Sequence, residues 1–172
     1  MQDILVVIDM QNDFVSGVLG TPEAREIIQK VRDRILSFDG RVYYTRDTHG
    51  ENYMSTREGK YLPVPHCIRG SYGWEIIPEL CDLRSDGVFD KPTFGSCGLI
   101  DALVREHLDR PIRSITLIGV CTDICVISNA MLLKAALPEV DLIVDSSCCA
   151  GVTPESHTNA LSAMRACQID IL

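Results

Sequence analysis

No stretch of this chain is apolar for long enough to span a bilayer, and no basic start with a cleavage site precedes its first apolar run. These gaps speak against a membrane protein and a secreted one, so the expected compartment is the cytoplasm. Basic charge is also short. Sixteen Lys+Arg face 24 Asp+Glu, a net charge of −8, which disfavours nucleic acid and anionic membrane surfaces as partners. The eight cysteines contain no C-x-x-C pair, so a paired-cysteine zinc site is unsupported. A disulfide framework is equally out of place in a chain too long to need staples, whose cysteines fall mostly in apolar segments. Cys81, Cys148, Cys149 and Cys167 read as core or surface thiols. Internal repeats, low-complexity tracts and linkers are missing too. What remains is 172 residues with 46% apolar content, the size of a single domain spanning 1–172 around one large core.

Apolar runs and helical periods alternate from end to end. Residues 4–10 read as a buried strand, and residues 22–38 as a helix with Thr21 at its N-cap and Pro22 at its first position. Further strands are expected at 41–45, 87–90, 114–120, 140–146 and 168–172, with helices at 74–81, 99–108, 122–137 and 154–166. The pattern predicts a three-layer α/β/α domain, Rossmann-like, with a mainly parallel sheet of six strands and helices on both faces. Residues 47–72 break the period. A loop this long in a compact domain is usually functional or disordered. Its Pro, Gly, aromatics and two of the four histidines point to a segment folded over a site.

Gly119-Val120-Cys121-Thr122-Asp123-Ile124-Cys125-Val126 joins the 114–120 strand to an Ala-, Leu- and Met-rich helix. Cys125 falls in or near the first helical turn, where unpaired N–H groups and the helix dipole favour a thiolate. Taken alone, a free cysteine more often just fills the core. Topology changes the balance, because ligands of open α/β sheets bind beyond the C-terminal strand ends. Asp9 ends the first strand, Asp47 and His49 follow the second, Lys91 the third, and Cys121 and Cys125 the central one. One sheet edge thus collects carboxylate, ammonium and thiol. There Asp9 can accept the Cys125 proton, Lys91 can stabilise the anion or tune the carboxylate, and the backbone N–H groups of Cys121 and Cys125 can receive an oxyanion. In isolation Asp9 would read as a solvated strand-end residue and Lys91 as a surface lysine.

The 47–72 segment offers a second constellation. Asp47-Thr48-His49 sets a carboxylate and an imidazole two apart, and His66 with one acid of Glu51 and Glu58 would complete a mixed N/O site. That donor set suits Zn²⁺, Fe²⁺ or Mn²⁺ better than Ca²⁺. His107 and His157 lie in helical patterns and read as surface residues. The competing function class is a non-catalytic metal or redox sensor with Cys121 and Cys125 as switch thiols. A complete Cys–Asp–Lys set has no evident purpose in such a sensor.

Five segments together resemble one family: I-L-V-V-I-D-M-Q-N-D-F (4–14), T-R-D-T-H (45–49), P-H-C-I-R-G (65–70), F-D-K-P-T-F-G-S (89–96) and G-V-C-T-D-I-C-V (119–126). The chain is similar to the isochorismatase-like cysteine hydrolases, and within them most resembles the nicotinamidases. The segments occur in the family's order and their span covers nearly the whole chain.

The resemblance implies hydrolysis of nicotinamide to nicotinate and ammonia through a cysteine thioester. It implies a Cys125–Asp9–Lys91 triad, an oxyanion hole from the N–H groups of Cys121 and Cys125, and a cis peptide between Val120 and Cys121. It also implies a divalent metal, zinc first with iron or manganese also compatible, held by Asp47, His49 and His66. Some members add a glutamate about nine residues past the first histidine, which falls on Glu58. The metal would dock the pyridine nitrogen and orient the amide, with Phe14 as an aromatic wall. The implied partners are a small amide and further copies of the chain in a homo-oligomer. Many nicotinamidases carry an aromatic residue three positions before the metal histidine, where this chain has Pro63. Tyr53, Tyr61 and Trp74 are the residues at hand to replace it. The alternative is a relative that cleaves another small amide, ureide or carbamoyl group.

Overall fold

The computed structural model describes residues 1–172. In chain order the elements are β1 (Gln2–Ile8), α1 (Asn12–Val15), α2 (Pro22–Glu26), α3 (Ile28–Ser37), β2 (Arg41–Asp47), α4 (Arg57–Tyr61) and α5 (Pro78–Cys81). There follow β3 (Gly87–Lys91), α6 (Cys97–Asp109), β4 (Ile112–Val120), α7 (Ile127–Ala136), β5 (Asp141–Ala150), α8 (Pro154–Ala166) and β6 (Asp170–Ile171). The six strands form one sheet in the order β3-β2-β1-β4-β5-β6, and every neighbouring pair is parallel. The expected three-layer α/β/α architecture is therefore present, with a sheet that is wholly rather than mainly parallel. No helix is long and apolar enough to cross a membrane.

Side chains of β1 show how both faces are filled. Ile4, Val6 and Ile8 pack with Leu99, Leu103, Ala130 and Leu133 of α6 and α7, while Leu5 and Val7 pack with Val31 and Ile35 of α3. All five β1 residues are fully buried. Burying a Val or Leu side chain contributes about 1.5–3 kcal/mol, so a strand apolar on both faces is held firmly at the sheet centre.

Several boundaries differ from the sequence reading. The 22–38 helix begins as expected, with Thr21 accepting from the Ala24 N–H, but is interrupted at Ile27. The 74–81 helix is instead a 3₁₀ turn, Tyr72–Trp74, and the short α5; Ile77 between them is extended, as the residue before a proline prefers. β5 continues to Ala150, because a register shift between Leu117 and Gly119 of β4 lets pairing resume at Cys149. Residues 47–72 contain real structure: a 3₁₀ turn, Tyr53–Ser55, and α4 capped by Thr56.

Strand order reverses direction between β1 and β4, and their C-terminal ends form the switch point where doubly wound sheets bind ligands. Gly119 makes this junction possible. Its φ is +113°, and a Cβ there would stand 2.1 Å from the Ile8 carbonyl oxygen.

Candidate active site

Three strand ends deliver the first cluster. Asp9 follows β1 with φ +47°, a left-handed conformation that Asp tolerates better than most residues. Lys91 ends β3, and Cys125 stands on the turn after β4. The chain passes through a cis peptide at Val120–Cys121, as the resemblance implied, and then makes a π turn, Thr122–Val126. The N–H groups of Ile124 and Val126 both donate to the Cys121 carbonyl, at 3.1 and 3.0 Å. Cys125 thus sits in a wide turn ahead of α7, not within a continuous 122–137 α-helix.

The Lys91 ammonium is the hub. Only 1% of this residue is exposed. Its Nζ lies 2.7 Å from Asp9 Oδ2, 3.4 Å from Asp47 Oδ1 and 3.5 Å from Cys125 Sγ, and donates to the Thr93 carbonyl at 3.1 Å. Burial opposes its charge, but Asp9, Cys125 and Asp47 outweigh burial and hold the ammonium well above its ordinary pKa. Burial pushes the Asp9 carboxyl up, against the pull of Lys91. Burial and then Asp9 push the Cys125 thiol well up, with Lys91 again opposing. Burial thus works against the thiolate that a helix terminus would favour. Asp9 Oδ2 lies against the ammonium, a contact that favours the ionised carboxylate.

The second cluster adjoins the first. Asp47, His49, Glu58 and His66 each present one donor atom, all within 4.8 Å of one another. Asp47 Oδ2 lies 2.9 Å from His49 Nε2 and 3.4 Å from His66 Nε2, and Glu58 Oε1 lies 3.6 and 3.7 Å from the same two nitrogens. Burial raises the Glu58 carboxyl, and the Asp47 charge raises it further. Burial would lower His66, but its hydrogen bond to Asp47 and the nearby acids hold it above its usual value. Two imidazoles and two carboxylates crowded in a largely buried pocket are a donor set that fits a divalent cation such as zinc. Glu58, not Glu51, is the acid that joins.

A cavity of about 320 Å³ reaches both clusters. Cys125, Asp47, Glu58 and His66 face it, and Phe14, Leu62, Phe94 and Ile124 form apolar walls. The Phe14 ring stands 5.6 Å from that of His66. None of Tyr53, Tyr61 or Trp74 lines this space. Tyr53 packs edge-on behind His49 and His66, Tyr61 is exposed, and Trp74 braces the loop, donating its Nε1–H to Thr48 at 2.8 Å. Leu62 stands at the wall and Pro63 points to solvent.

A model of the isochorismatase domain matches residues 3–172. This chain belongs to the isochorismatase family. Among its relatives, a nicotinamidase of Schizosaccharomyces pombe is 26% identical over 204 residues, covering 98% of this chain and 91% of that protein. Among solved structures, pyrazinamidase of Pyrococcus horikoshii in complex with zinc has a TM-score of 0.83 at 27% identity, covering 100% of this chain and 99% of that one. N-carbamoylsarcosine amidase from Thermoplasma acidophilum has a TM-score of 0.79 at 26% identity, covering 99% and 95%.

Within this isochorismatase-family site, sequence reasoning left several supports unassigned. Thr45 Oγ1–H donates to Asp9 Oδ1 at 2.6 Å, and the Asp9 N–H returns to Thr45 Oγ1 at 3.3 Å. Gln11 grips Asp47 from both sides: its Oε1 accepts from the Asp47 N–H at 2.7 Å and its Nε2 donates to the Asp47 carbonyl at 2.9 Å. Asp13 accepts from the Cys67 N–H at 2.7 Å and so tethers the segment carrying His66. All three lie inside the motif segments, which was the available signal. His157, read as a surface residue, pairs with Thr122 Oγ1 at 2.8 Å beside the cysteine turn. His107 accepts from the Ile112 N–H at 3.2 Å and stands far from both clusters in sequence.

Proposed function

We propose that this isochorismatase-family protein is a cysteine amidohydrolase that converts nicotinamide to nicotinate and ammonia. The observation that carries the reading is the Lys91 ammonium held against Asp9, Asp47 and Cys125 at one buried point, opening on an apolar cavity.

Asp9 takes the Cys125 proton as the sulfur approaches the carboxamide carbon, and the ammonium stabilises the sulfur's growing charge. The carbonyl oxygen becomes an oxyanion facing the N–H groups of Cys121 and Cys125; that of Cys121 donates to no acceptor within the protein. The C–N bond breaks as Asp9 returns the proton to nitrogen, and ammonia leaves a thioester on Cys125. Asp9 then removes a proton from water, whose oxygen attacks the thioester and releases the carboxylate and the thiol. Acid–base help of this kind contributes about 10²–10⁴-fold. Phe14 and Phe94 flank the ring and exclude water. A zinc ion held by Asp47, His49, Glu58 and His66 would supply a Lewis-acid docking point for a ring nitrogen.

A second reading, cleavage of another small amide, ureide or carbamoyl group, is favoured by the aliphatic Leu62 at the wall and by the likeness to a carbamoylsarcosine amidase. Ammonia release from nicotinamide by zinc-loaded protein separates the two, with Cys125→Ala and a chelated sample as controls. Turnover lost in both controls supports the nicotinamidase reading. No turnover in fresh, reduced, zinc-loaded protein removes it, and release from a ureide or carbamoyl compound would install the alternative.

A further inference from the structure

Asn129 is a fully buried polar residue for which the reaction above has no use. It lies on the first turns of α7, four residues past Cys125, in a helix otherwise rich in Ala, Leu and Met, and none of its surface is exposed. Asn is a poor helix former in such a position, and a buried amide is costly unless its hydrogen bonds are made. Here they are made, and all of them leave the helix. Its Nδ2 donates to the Cys125 carbonyl at 2.8 Å and to the Phe94 carbonyl at 3.1 Å, while its Oδ1 accepts from the Ser96 N–H at 2.9 Å. Two carbonyls on one side and an N–H on the other fix which end of the amide is which.

The two partners belong to different walls of the site. Cys125 carries the thiol on the π turn. The 92–96 segment follows β3; its Thr93 carbonyl accepts from the Lys91 ammonium at 3.1 Å, its Phe94 ring lines the cavity, and its Ser96 caps α6 by accepting from the Leu99 N–H at 3.2 Å. Gly95 presses on the same helix, since a Cβ there would come within 2.5 Å of Leu132 Cδ1. One planar amide therefore spans the gap between the turn that aims the sulfur and the segment that anchors the ammonium.

We propose that Asn129 is a positioning residue that sets Cys125 in register with Lys91 and Phe94. The proposal rests on the reading of Cys125 as the nucleophile, and its test is chosen to stand apart from the choice of substrate. Alkylation of Cys125 by iodoacetamide, followed on its own peptide by mass spectrometry across pH, reports how well the ammonium supports the sulfur. Asn129→Leu removes all three bonds at similar volume. Asn129→Ser keeps a hydroxyl able to reach the carbonyl four residues back but not the 94–96 backbone. Leu133→Val, in the same helix and core, is the packing control.

Both Asn129 variants are expected to move the alkylation midpoint to higher pH. They should lower kcat by about 10- to 100-fold, the scale of a catalytic group displaced by an ångström, with a smaller change in KM. Leu133→Val should lose thermal stability without moving the midpoint. A parent-like midpoint in Asn129→Ser, or an equal shift in Leu133→Val, overturns the proposal. If Asn129→Leu fails to fold, Asn129→Ser decides alone. Should the parent cleave no amide, the functional reading fails while the alkylation midpoints still decide the role of Asn129.

Discussion

Replacing Thr45 by Val tests whether Asp9 works as the base. The two side chains have nearly the same shape, so the change removes the bond from Thr45 Oγ1–H to the buried Asp9 Oδ1 at 2.6 Å. The Asp9 N–H, which also reaches Thr45 Oγ1 at 3.3 Å, keeps the Thr45 carbonyl as its acceptor. A hydrogen bond to a charged acceptor contributes about 1.5–3 kcal/mol and one to a neutral acceptor about 1, so the ionised carboxylate loses about 0.5–2 kcal/mol more than the neutral acid. At about 1.36 kcal/mol per pH unit, the Asp9 pKa should rise by about 0.4–1.5 units. The sign is unambiguous. Burial already raises Asp9, the Thr45 bond is among the influences lowering it, and removing that bond raises it further. Asp9 must be ionised to accept the thiol proton, so activity is present above its pKa and lost as pH falls through it. The assay is kcat/KM for nicotinamide across pH: the acid limb should move up by that amount, with the plateau above it little changed. Thr45→Ser, which keeps the hydroxyl, should leave the limb in place. An unmoved limb in Thr45→Val, or a uniform fall at every pH, would refute the assignment of Asp9 as the titrating base.

Zinc at a hundred times its dissociation constant should stabilise the folded chain by about 2.7 kcal/mol, which at about 2–4 °C per kcal/mol raises Tm by roughly 5–10 °C. His66→Ala, which removes one of the four donors, should lose most of that rise in a thermal melt; an equal rise would take His66 out of the ligand set. Tyr44 has a buried hydroxyl with no hydrogen-bond partner, and burial pushes its pKa up to about 12. Tyr44→Phe removes an unpaired group whose burial costs about 1–3 kcal/mol, so urea denaturation should show stability equal to or above the parent; a loss beyond about 1 kcal/mol would contradict this.

The parts of the fold written in local pattern are legible in the sequence. Apolar runs located all six strands, Thr21-Pro22 marked a helix start, and strand-end chemistry gathered Asp9, Lys91 and Cys125 on one edge. What escaped was set by tertiary contact. The π turn exists because two N–H groups converge on the Cys121 carbonyl, a choice no residue in T-D-I-C-V announces. Nothing in the I-S-N-A-M-L-L-K-A-A pattern singles out Asn129, whose three partners lie 4 to 35 residues away. Phe14 stands at the wall as expected, but the residues at hand to replace the aromatic missing at Pro63 were Tyr53, Tyr61 and Trp74, and only packing shows that Leu62 and Phe94 take that place. Residue type alone left Glu51 and Glu58 equivalent, the family resemblance pointed to Glu58, and in the fold it is Glu58 that stands among the donors.

Trp74 is the only tryptophan of the chain. Its indole N–H is bound to Thr48, between Asp47 and His49, and its ring packs against the guanidinium of Arg46 at 3.7 Å. Tryptophan emission, excited to the red of the five tyrosines, is thus a signal from one place, the back of the loop that carries Asp47 and His49. Quenching or a spectral shift would follow that loop alone, in real time and without a label, while absorbance of released product follows the cysteine. Two optical channels, each reading a different half of the same cavity, come built into the chain.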